Sequence, residues 1–229
     1  MVPLFAGLIL AGYCVLPRGC TRRCLLLAPL LLVCACAQAQ TLQAALFEAI
    51  ATGERGEVRR LVEAGIHFSA RNGQGETPLY VAAEKDDREI VRLLIGNKAD
   101  VKARTPNGES ALHAAAMNDD AVLIRVLIDA GVGKNAVNLD GETPLFWAAL
   151  TGTLQSVKAL VEAGVPLNTR DRNGNTPLHA AAASGHADVV AYLLSKKMPK
   201  GARNKRGETA LDLARARQEA AIVKLLRKK

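Results

Sequence analysis

Along residues 41–229 the apolar positions return with a constant period of 33 residues. Each period holds two apolar stripes. The first reads Leu79, Ala82, Ala83, then Leu112, Ala115, Ala116, then Leu145, Ala148, Ala149, then Leu178, Ala181, Ala182. The second, after a short polar break, reads Ile90, Val91, Leu94, Ile95 in one period and Leu123, Ile124, Leu127, Ile128 in the next, with Val189, Val190, Leu193 and Leu194 later. Offsets of one, four and five residues trace one face of a 3.6-residue helix and exclude the alternation of a strand. Every period therefore predicts two short helices, the paired alanines letting them approach closely.

The polar positions repeat in step. Thr77-Pro78-Leu79-Tyr80 recurs as Ser110-Ala111-Leu112-His113, Thr143-Pro144-Leu145-Phe146, Thr176-Pro177-Leu178-His179 and Thr209-Ala210-Leu211-Asp212. A Thr or Ser hydroxyl can accept an orphan amide at a helix start, and Pro at the first helical position has its φ already set. Asn107-Gly108, Asp140-Gly141, Asn173-Gly174 and Arg206-Gly207 stand ahead of each phrase and predict tight turns. Gly65, Gly131 and Gly164 fall where the second helix should stop, as left-handed caps. Lys98 and Lys197 replace glycine there, so looser or differently shaped ends are expected at those two places.

A fixed period of this size marks stacked units that cannot bury their apolar faces alone. The pattern of residues 174–182, with a later Val-x-x-Leu-Leu, resembles the ankyrin repeat. The resemblance covers residues 41–229 and implies an all-α solenoid of helix-turn-helix units joined by β-hairpin-like loops. It also implies recognition along a concave face made by the first helices and the hairpin tips. Six units are expected, over residues 41–71, 72–104, 105–137, 138–170, 171–203 and 204–229. The two end units depart as caps should: residues 41–71 lack the Thr-Pro start and place Glu57 at an apolar position, and Arg227 replaces the last aliphatic.

Residues 1–39 read as a leader. They hold all five cysteines, no acid, and Arg18, Arg22 and Arg23 ahead of an apolar run over residues 24–37. A basic stretch, an apolar core and a small-x-small end describe an export signal, with cleavage expected after Ala39. That leader and the Ala- and Arg-rich composition point to a Gram-negative bacterium and a periplasmic product, for which a cysteine-free array is suited. Val33-Cys34-Ala35-Cys36 resembles a lipoprotein box, and acylation of Cys36 would instead tether the array to a membrane.

Charge is uneven along the chain. Its formal net charge is +8, yet residues 195–229 carry twelve basic and three acidic residues while residues 40–194 are net acidic. A solvated cap accounts for the basic end, and docking on an anionic partner or lipid head groups is the functional alternative. Nucleic acid is not expected, since aromatics are too few to serve as stacking platforms.

The array carries no catalytic constellation: no G-x-S-x-G, P-loop or H-E-x-x-H, and no cysteine to pair with histidine. His113 and His179 lie in the repeat phrase, where the resemblance implies that they tie neighbouring hairpins. Asp86-Asp87 and Asp119-Asp120 occupy matching places in adjacent units and read as a hydrated cluster, not a cation site. No enzyme activity, metal or cofactor is expected. The expected ligand is a protein, bound by a monomer. By resemblance the position after each repeat phrase faces the groove, so Val81 and Trp147, with Met117 and Leu150 further along their helices, are expected to form one apolar patch. Asp140, Glu142, Arg172 and Asn175 would supply its polar rim, with Gln74, Glu76, Asn107 and Glu109. Packing of Trp147 between repeats is the alternative.

Overall fold

Each 33-residue period folds as an antiparallel helix pair followed by a turn. The computed structural model describes residues 41–66 and 68–228, and among them twelve helices and no strand occur. The leader, its cleavage site and Cys36 lie outside the described residues, as do His67 and Lys229. The helices are α1 (residues 41–52), α2 (Arg55–Glu63), α3 (Pro78–Glu84), α4 (Arg88–Gly96), α5 (Ala111–Ala116), α6 (Ala121–Asp129), α7 (Pro144–Thr151), α8 (Leu154–Glu162), α9 (Pro177–Ser184), α10 (Ala187–Ser195), α11 (Ala210–Ala216) and α12 (Ala220–Arg227). Residues 42–229 form one compact unit.

Helix starts follow the predicted chemistry. Thr77 and Thr143 accept the amides of Tyr80 and Phe146 at 3.3 and 3.2 Å, with Pro78 and Pro144 in the first turn. Ser110 and Thr176 close capping boxes with His113 and His179. Asp87 and Asp120 cap α4 and α6 through two amides each. Without such acceptors the first-turn N–H groups of these short helices would be left unpaired.

First helices form one row, α3 on α5, α5 on α7, α7 on α9 and α9 on α11; second helices form another, including α2 on α4, α6 on α8 and α10 on α12. The main contacts lie within a unit or between adjacent units, which is the geometry of a stack and not of a bundle around one centre. The predicted stripes merge into a single apolar spine, with Leu79, Leu112, Leu145 and Leu178 at most 2% exposed and the paired alanines fully buried. Burying each leucine contributes roughly 2 kcal/mol.

The expectation about Lys98 and Lys197 is corrected. Both adopt the left-handed conformation of the glycines they replace, at φ 63° and 60°. Their helix ends close with the same pair of bonds: Lys98 N–H to Ile95 O and Ala99 N–H to Leu94 O, each 3.0 Å, matching Gly131 to Ile128 O and Val132 to Leu127 O. The helix-end hydrogen bonds set the backbone, which carries the left-handed strain while both lysine side chains stay in solvent.

Candidate functional site

Successive hairpins are laced together by a small set of ties, and the site is best seen as the place where they change. At the junction of the third and fourth units His113 Nδ1 accepts the Ser110 amide at 3.1 Å. Its Nε2–H therefore donates to the Glu142 carbonyl in the next hairpin, at 3.1 Å. His179 repeats this with Thr176 and Glu208 O. Burial pushes His113 down to about 4, outweighing the Glu142 carbonyl that favours a proton, and burial lowers His179 likewise. Both rings are struts, as the resemblance implied. In the second unit Tyr80 reaches the next hairpin through Glu109 Oε2 at 3.2 Å, its hydroxyl pushed upward by burial and then by that carboxylate.

A second tie was not read from the sequence. Arg71, Arg104, Arg170 and Arg203 stand 33 residues apart but for one gap, at Val137. Arg104 Nη1 donates to Gly108 O in its own hairpin at 2.8 Å and to Val137 O in the next at 3.2 Å. Arg71 and Arg170 bridge in the same way, to Arg104 O and Arg203 O. At the turn that joins the third and fourth units the column holds Val137, 53% exposed, and the imidazole column of the fourth unit holds Phe146. The junction of the fourth and fifth units therefore keeps the Arg172 amide on Asp140 O at 2.7 Å, but neither side-chain tie.

Beside the gap the surface is apolar. Leu139, 55% exposed, fills a turn position that other units give to Gly73, Pro106, Arg172 and Lys205. Leu150 and Met117 are 42% and 38% exposed. Trp147 is half-buried and combines the two expected roles. Its ring meets His113 edge-on, centroids 5.4 Å apart at 81°, and its Nε1–H donates to Glu142 Oε2 at 2.7 Å. Asn138 Nδ2 donates to the same carboxylate oxygen, so the indole is fixed to the fourth hairpin.

Other expected site residues fall elsewhere. Val81 is buried, as are Ala114 and Ala180 in its column; Val81 reaches only the floor of a shallow groove beside Asn72, Gln74 and Glu76, whereas the larger Trp147 is half-buried. Val81 thus leaves the open patch. Glu142 braces Asn138 and Trp147, and Asn175 is held by Asp171 and Asn204, so neither is a free rim group. Asp140 and Arg172 do remain exposed, 3.9 Å apart.

Of the four aspartates between helices expected to be hydrated, Asp86 is exposed and the other three are partnered. Arg55 meets Asp87 at 2.9 Å, Arg88 pairs with Asp120, and Asp119 accepts the Gln155 amide at 2.6 Å. Burial alone would raise Asp87 and Asp120; the arginines and helix amides outweigh it and hold both below the ordinary carboxylate range. Among the described residues no group of three or more His, Cys, Asp or Glu is placed to hold a metal.

The family pattern described as ankyrin repeats (3 copies) matches residues 23–105, 94–171 and 152–229, most of the chain. The chain belongs to the ankyrin-repeat family. Ankyrin repeats generally mediate protein–protein interaction and are typically non-enzymatic. No curated protein matches this ankyrin array.

Proposed function

We propose that this ankyrin array is a non-enzymatic binding module that holds a protein partner on the concave face and hairpin tips of its third to fifth units. One observation carries the reading: the fourth hairpin gives up its arginine clamp where Val137, Leu139 and Leu150 are exposed around an anchored, half-buried Trp147. Exposed aliphatics beside a rigid indole are the composition of an interaction hot spot. Met117 extends the patch to the third unit, and Asp140 and Arg172 supply polar contacts at its edge.

Export to the bacterial periplasm completes the proposal, supported by the residue pattern of 1–39, with acylation of Cys36 as the alternative. Membrane fractionation in high salt separates a lipid anchor from a soluble product. The binding face is tested by crosslinking in cells and pull-down with wild type, Trp147→Ala and Leu139→Glu. Both variants should lose the partner, by about 2 kcal/mol or more for the tryptophan. Full retention by both, with folding intact, rejects this face.

A further inference from the structure

The sixth unit presents a second surface, of different chemistry, where α11 and α12 turn away from the fifth unit. The 33-residue register shows how it differs from the inner units. Ala83, Ala116, Ala149 and Ala182 are fully buried, and at their place the sixth unit has Arg215, with a half-exposed side chain. Val58, Val91, Ile124, Val157 and Val190 are fully buried, and Val223 in the same column is only partly so. Arg227 replaces the aliphatic of Val62, Ile95, Ile128, Val161 and Leu194. These residues with Ala220, Lys224 and Lys228 line a groove of about 630 Å³.

The seam by which one ankyrin unit receives the next is thus present here in outline but rewritten in charge. An apolar unit stacked on it would bury the Arg215 and Arg227 guanidinium groups with only Asp212 beside the first, which is strongly unfavourable. A segment bringing carboxylates to the rim and an aliphatic to Val223 would satisfy both. The three acids of residues 195–229 do little to neutralise the groove. Glu208 pairs with Arg206, Glu219 lies against Gly185, and Asp212 holds the Thr209 cap and reaches Arg215 only at 3.7 Å.

We infer that this groove is a docking site for an acidic amphipathic segment of a protein partner, distinct from the concave face. The occupant is a polypeptide and not a bilayer because the basic rim of Arg215, Lys224, Arg227 and Lys228 surrounds an apolar floor of Ala220 and Val223. A flat sheet of head groups would meet its rim and leave Val223 uncovered.

The test uses the full chain and a fluorescent helical peptide of glutamate and leucine, followed by anisotropy at low and high salt. Its lysine counterpart and vesicles containing anionic lipid are the parallel probes. Saturable binding of the glutamate peptide, weakened by salt and about tenfold by Lys224→Glu with Arg227→Glu, is expected. Val223→Ser should weaken it without changing its salt dependence, and Trp147→Ala should leave it unchanged. The inference is overturned if both peptides bind alike, if charge reversal has no effect, if Trp147→Ala abolishes binding, or if only the vesicles bind. Should the reversed variant fail to fold, the contrast between the two peptides on the wild-type chain decides alone.

Discussion

The junction between the third and fourth units and the junction between the fourth and fifth use one backbone plan with different side chains. The first has the His113 strut, the Arg104 clamp, the Thr153 hydroxyl on Ala116 O at 2.7 Å and Ser156 on Asn118 O. The second has Phe146 and Val137 in the strut and clamp columns and relies on the Arg172 amide, with His186 Nε2 on Leu150 O at 3.0 Å across the helices. In a linear array stability is close to a sum of unit and neighbour terms, so a weaker junction is tolerated if its neighbours are strong. The weaker one is also where aliphatic side chains face solvent. A clamp that satisfies the next hairpin's carbonyl would cover the surface proposed for a partner.

Acid is the largest lever on this contrast. His113 is held near 4 in the folded chain against an ordinary 6.5, so the unfolded chain takes up a proton that the native one refuses. The strut is fully effective above about 6.5 and is lost as pH falls toward about 4, by roughly 3 kcal/mol, since a charged ring would aim Nδ1–H at the Ser110 amide. His179 acts in the same direction at the fifth unit. Denaturant unfolding across this window should show the loss, and His113→Phe, which copies Phe146, should lower stability at neutral pH while flattening the slope. Hydrogen exchange should find the third-to-fourth junction opening more readily in acid, reversing the neutral order.

Thr153→Val tests the same junction without charge. Removing a buried hydroxyl from Ala116 O should cost about 1–2 kcal/mol in denaturant midpoint experiments. Val137→Arg tests the other. It should complete the column, donate to Gly141 O and Arg170 O, and raise stability by about 1 kcal/mol while weakening partner capture. A gain in stability with undiminished capture would separate the gap from binding. The smallest effect belongs to Lys98→Gly, expected to add about 0.5 kcal/mol by relieving a left-handed residue, less the flexibility glycine gives the unfolded chain. Partner capture should not change, which makes it the control for stabilisation alone.

Period and phase determined the helices, their capping and the row of units by themselves, because stacking like on like leaves a repeated pattern only one way to bury its stripes. The break at Val137 was equally present in the chain as a missing arginine. Its meaning was not, since a guanidinium that serves a carbonyl 33 residues away is defined only once hairpins lie side by side. Tertiary structure alone decided that Val81 is covered, that Trp147 reaches the surface through its bulk, and that Glu142 and Asn175 are braces. Sequence spacing fixes which residues share a column. Whether a column member is free depends on hydrogen-bond partners and neighbouring volume, which come from its own unit, as for Glu142, and from the next, as for Asn175.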